Sequence, residues 1–168
     1  MVIDTVRLLL FPAMMAFAAS SDLLTMTISN RISLILLAGF FMLAGMTGMP
    51  LATVGMHLAA AGTVFAVTFF MFAMGWIGGG DAKLAAATAL WLGFDQLLVY
   101  FVWASLFGGA LTFLIIRFRA LPFPRFLASQ EWAWRLYRLD AGVPYGIALA
   151  AAALLVYPES AWMTVVGP

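Results

Sequence analysis

The chain has no cysteine among its 168 residues, one histidine, and only 9% charged side chains. The first absence excludes disulfides, thiolate nucleophiles and cysteine-ligated zinc, and the second excludes a histidine-rich metal site. The scarcity of charge says most. A water-soluble domain carries roughly 25% charged residues, so this composition belongs in lipid. What fills the chain instead is 65% hydrophobic residues, including 15 Phe, 11 Met and 6 Trp, with a mean hydropathy of +1.08. A net charge of +1 gives no reason to expect a nucleic-acid partner. The length fits one membrane domain, 1–168, without a separate soluble module.

A membrane helix needs about 20 mostly apolar residues. The pattern predicts an all-α polytopic membrane protein with six transmembrane helices. The first ends at Ala19, before Ser20-Ser21-Asp22, and the second runs from Ile32 to Thr47. The third covers Leu51 to Trp76, a short fourth covers Ala82 to Gly93, and the fifth covers Gln96 to Ile116. The last runs from Val143 to Tyr157-Pro158. The polar connection 117–141 contains a predicted interfacial helix from Phe126 to Leu139. Glu131, Arg135 and Arg138 share one of its faces, and Trp132, Leu136 and Leu139 another. Such a helix lies flat on an anionic leaflet, as a surface anchor before it is a lid or docking surface.

Connections after spans one, three and five carry Arg31, Lys83, Arg117, Arg119, Arg125, Arg135 and Arg138, while the other side carries only Arg7. Positive charge marks the cytoplasmic side. Both termini are therefore expected outside, with Asp22 and Asp81 together at the cytoplasmic face of an inner membrane. Arg7, the apolar run and Ala16-Phe17-Ala18-Ala19 imitate a cleaved signal peptide. The further spans argue that the segment is retained.

Carboxylates at membrane helices are costly and mark function by default. Asp22, just after the last turn of span one, faces the negative end of the helix dipole, which opposes an ionised carboxylate. Asp81 precedes a helix, where Asp is also an ordinary N-cap. These contrasting environments suit an acid/base pair. If the two meet, they can share one proton: Asp81 deprotonates a water and Asp22 polarises the scissile carbonyl. Gly78, Gly79 and Gly80 remove side chains beside Asp81 and permit unusual dihedrals, giving an extended peptide room to approach. The same run also reads as a flexible turn.

Gly78-Gly79-Gly80-Asp81 resembles the Gly-x-Gly-Asp signature of intramembrane aspartyl proteases, and Asp81-Ala82-Lys83-Leu84 narrows the resemblance to type IV prepilin peptidases. Ser21-Asp22 followed by Ile28-Ser29-Asn30 is similar to that family's first motif, an Asp before Ile-Pro-Asn. Val143-Pro144-Tyr145-Gly146-Ile147-Ala148 is similar to an element opening the last span of small members. The resemblance implies that Asp22 and Asp81 are catalytic, with no metal or cofactor. It implies a prepilin or pseudopilin substrate with a short basic leader cut at the cytoplasmic face, and contact with pilus-assembly machinery. Small size and absent cysteine match the tight-adherence (Flp pilus) branch. The missing cytoplasmic insertion implies no methyltransferase activity. Ser29 departs from the family's usual Pro, which relaxes a restraint on the first loop.

Other candidates have plainer readings beside the functional ones. Lys83 can stabilise the Asp81 carboxylate or hold substrate, though a snorkelling anchor is the simpler reading. Asn30 either orients the loop after Asp22 or caps span two. Pro144, Tyr145 and Gly146 fit an ordinary helix start or a wall of the site. His57, alone in span three, reads as a packed or interfacial residue. Two rival functions remain: a proton- or ion-coupled transporter, and a non-catalytic pilus-assembly subunit.

Overall fold

A computed structural model describes residues 2–164. These form helices α1 (Val2–Thr25), α2 (Asn30–Thr47), α3 (Leu51–Ala73), α4 (Gly79–Arg119), α5 (Glu131–Tyr137), α6 (Tyr145–Val156) and α7 (Ala161–Thr164). The helices α1 to α4 are each long and apolar enough to cross a membrane. Exposed Leu34, Phe70, Leu98 and Leu114 point outward from the bundle, as expected of a chain whose solvent is hydrocarbon.

The helix α1 runs six residues beyond the predicted stop at Ala19, so Asp22 lies inside its last turn rather than after it. Hydroxyls make this possible. Ser20 Oγ donates to the Ala16 carbonyl at 2.8 Å and Thr25 Oγ1 to the Ser21 carbonyl at 2.7 Å. Back-bonding of this kind satisfies polar side chains within a helix. The helix stops where Met26 turns left-handed, at φ 54°. Arg7, Phe11, Met15, Ala18 and Asp22 are all buried, and their spacing of three or four residues puts them on one face.

The predicted fourth and fifth spans are two arms of one helix, broken at Gly93 (φ 67°, ψ −178°). That combination is open essentially to glycine alone. The arms fold back on one another: Ala85, Ala86 and Ala89 of the first pack against Leu97 and Phe101 of the second. A break frees helix carbonyls, and each needs a donor. His57 supplies one with Nδ1 against the Leu90 carbonyl at 2.7 Å. Trp162 of α7 supplies another with Nε1 to the Trp91 carbonyl at 2.9 Å. His57 is thus a buried wedge at a helix break, one particular form of the packed role expected.

Rings fill this end of the bundle. Phe11, Phe40, Trp91, Tyr157 and Trp162 are nearly inaccessible, and Phe11 stacks on Tyr157 at 4.5 Å. Tyr157 donates to the Arg7 carbonyl at 2.7 Å.

The interfacial helix is shorter than predicted. Pro124 leads into a 3-10 turn, Arg125–Leu127, so α5 begins only at Glu131. Its buried residues are Ala133 and Leu136, whereas Leu139 is exposed, which corrects the apolar face. The Glu131–Arg135 pair forms at 3.4 Å. Arg138 instead lies past the helix and donates to Asp140.

Candidate active site

The sequence brings Asp22 and Asp81 to one place by three local events. The α1 face carries Asp22 inward, α3 ends at Ala73, and the chain re-enters helix at Gly78. Gly78, not Asp81, is the N-cap of α4. Asp81 stands three residues into the helix and its carboxylate turns back to the Gly78 backbone N–H, the acidic half of a capping box. A cavity of about 310 Å³ opens between the two loops, lined by Asp22, Thr27, Ile28, Gly80 and Asp81.

Asp22 is buried and accepts a hydrogen bond from the Gly146 backbone N–H at 2.8 Å. This contact joins residues 124 apart. It also explains the glycine: a Cβ at 146 would stand 2.6 Å from Ile28 Cδ1 and 2.8 Å from the Asp22 carboxylate. Pro144 is the buried N-cap residue of α6. Tyr145, half-buried, donates to the Ala104 carbonyl at 3.3 Å and shares a second cavity with Asp81.

Three expectations need correction. The glycine run before Asp81 uses no unusual dihedral, since Gly78 sits at φ −73°, ψ 145°. Nor is all its space free: a Cβ at Gly80 would meet Ile28 at 3.0 Å, and one at Gly79 the Phe72 ring at 3.2 Å. Close packing of the two loops is what these glycines permit. Asn30 does not cap α2; Ser29 does, accepting from the Arg31 N–H at 3.3 Å. Lys83 points away from Asp81. Its Nζ donates to Asn30 Oδ1 at 2.9 Å, tying the start of α4 to the start of α2 and forming one wall of a separate groove.

Sequence reading missed the arginines that hold this end together. Arg119 Nε donates to the Leu136 carbonyl at 2.7 Å, and its Nη2 to those of Ala141 and Gly142 at 2.9 and 3.0 Å. The peptide so fixed leads directly to Pro144-Tyr145-Gly146 and hence to Asp22. Arg135 reaches the Leu24 carbonyl, at the end of α1, at 2.9 Å. Counting basic residues for orientation concealed this use of them. The seventeen-residue step from Arg119 to Leu136 leaves no local signal.

The bundle is apolar outside and carries two carboxylates, Asp22 and Asp81, in one cavity at one end. The family model for the type IV leader peptidase family matches residues 9–113, and the chain belongs to that family. It is a multi-pass membrane protein of a peptidase, and so hydrolase, family. The match includes Asp22 and Asp81 and stops before Pro144-Tyr145-Gly146. Neither the curated proteins nor the solved structures contain a match.

Proposed function

We propose that the chain is an aspartyl endopeptidase of the inner membrane that removes the leader of Flp-type prepilins or pseudopilins at the cytoplasmic face. The observation that carries this reading is the cavity shared by Asp22 and Asp81, in a chain of the leader peptidase family. One carboxylate takes a proton from water as it attacks the scissile carbonyl. The other, protonated, gives its proton to the carbonyl oxygen and recovers it when the tetrahedral intermediate collapses, while the first passes the proton taken from water to the departing amine. Asp81 is assigned as the base and Asp22 as the acid, with one proton shared between them at rest. Gly146 holds Asp22, Tyr145 walls the site, and the Asn30–Lys83 link fixes the two loops.

Six crossings put both termini outside. Support comes from the reversal at Gly93 and from the basic residues of the α4–α6 connection, which pack at the aspartate end. The short connection 117–141 supports a peptidase without methyltransferase activity.

The test is coexpression with a prepilin in membranes. Asp22→Asn and Asp81→Asn should each slow leader removal by roughly 10²–10⁴-fold, with the protein inserted and folded. Normal processing by either variant overturns the reading and leaves a transporter or an assembly subunit in its place.

A further inference from the structure

The ring of Tyr145 lies where a side chain of α4 would be. A Cβ at Gly108, on the second arm of that helix, would overlap Cε2, Cζ and Oη of Tyr145. Gly108 is buried, whereas a Cβ at the adjacent Gly109 would meet nothing within 4 Å. Of these two glycines in mid-helix, only the first makes room for a neighbour. The Tyr145 hydroxyl donates to the Ala104 carbonyl at 3.3 Å, about one turn before Gly108. The outer half of the ring therefore rests on bare backbone and its hydroxyl on a carbonyl, both on one face of α4.

Tyr145 is also the first residue of α6, a helix with little else to fix its start. Pro144, the N-cap residue, makes no side-chain capping bond. The opening N–H groups of a helix have no partner within it. Here the Gly146 N–H finds one in Asp22 Oδ2 at 2.8 Å. That N–H lies in the plane of the peptide joining Tyr145 to Gly146, so a turn of Tyr145 about its own backbone bonds re-aims it. Gly108 lines neither of the cavities that an aspartate lines. It nevertheless stands two links from Asp22: first the ring, then the peptide.

We propose that Gly108 is a positioning residue for peptide cleavage: it seats the Tyr145 ring, and the seated ring aims the Gly146 N–H at Asp22. The proposal rests on the peptidase reading. Helix physics and the seat make opposite demands at this position. Alanine stabilises a helix interior and glycine weakens it, so helix propensity alone predicts that Gly108→Ala is harmless. The seat predicts that the added methyl displaces the ring and loosens the hold on Asp22.

Two readouts test this. In membranes containing a prepilin, Gly108→Ala should lower kcat about tenfold with KM within about twofold of the parent value, as the loss of one hydrogen bond to a carboxylate implies. Gly109→Ala should change neither. Tyr145→Leu removes the outer half of the ring and leaves the seat empty, so it should lower kcat by a similar factor. Adding Gly108→Ala to it should cost nothing further. The second readout needs no substrate. In protein carrying isotope-labelled glycine, Gly108→Ala should move the Gly146 amide proton upfield, as Asp22→Asn does, and Gly109→Ala should leave it in place. Cleavage at the parent rate by Gly108→Ala or Tyr145→Leu, a rise in KM alone, a further loss in the double variant, or an unmoved Gly146 amide overturns the proposal. If the amide moves as expected while the aspartate variants still process prepilin, the seat stands and the peptidase reading falls.

Discussion

The two ends of the bundle solve the same problem, the satisfaction of helix ends in a nearly charge-free chain, in opposite ways. At the Gly93 end, freed carbonyls meet ring nitrogens from His57 and Trp162, and Trp91 donates to the Leu36 carbonyl at 3.0 Å. Aromatic rings fill what space remains. At the aspartate end, arginines from the surface reach carbonyls of the connecting chain, Asp22 meets one backbone N–H, and a cavity stays open. One end is sealed so that the other need not be. Interior packing carries stability, and the sealed end holds the helices in register away from the cavity that Asp22 and Asp81 share.

Substitutions at the sealed end should therefore cost stability, and those at the open end activity. Trp91→Ala should have the largest effect on stability. Its loss empties a fully buried site among Phe11, Phe40, Tyr157 and Trp162 and should cost about 3–5 kcal/mol. Thermal unfolding in detergent measures this, and the molecules still folded should cleave normally. Gly93→Ala should cost about 1–3 kcal/mol, because its φ is unsuited to a side chain and a Cβ would stand 3.1 Å from His57. A variant of unchanged stability would mean that the arms of α4 are joined in some other way.

Arg119→Ala sharpens the comparison from the other side. It leaves three carbonyls without their donor, so the Gly146 contact to Asp22 should loosen and kcat should fall about tenfold, roughly 1.4 kcal/mol. Thermal stability should change far less than in the Trp91 variant, and Arg119→Lys should recover part of kcat. Ser29→Pro should have the smallest effect. Ser29 already sits at φ −64°, the angle a proline imposes. Losing the N-cap costs about 1 kcal/mol, and the stiffer unfolded chain returns about 0.4–1 kcal/mol. Cleavage and unfolding temperature should both stay near those of the parent chain.

Ser29 also shows how a sequence motif and its physics can part company. The departure from proline predicted a looser loop, yet the backbone holds the same angle through a side-chain cap. Helical existence and the shared side of Asp22 and Asp81 were legible because long apolar runs and few, one-sided charges leave little choice. The break at Gly93 was legible as a gap in the pattern. The run of α1 past Ser20 was not, since back-bonding hydroxyls look like a stop signal. Its buried face was readable in retrospect from Arg7, Phe11, Met15, Ala18 and Asp22 at helical spacing. The Gly146–Asp22 contact and the arginine clamps join distant segments, and no local pattern encodes them. The wedge role of His57 depends equally on a helix break 36 residues away, from His57 to Gly93.

The central claim is that Asp22 and Asp81 act as one catalytic unit, and residues that act as a unit are not additive when removed. The direct measurement is the rate of prepilin cleavage by Asp22→Asn, by Asp81→Asn and by the variant carrying both. The account predicts that each single variant is as slow as the double. Two partial losses that multiply in the double variant would contradict it.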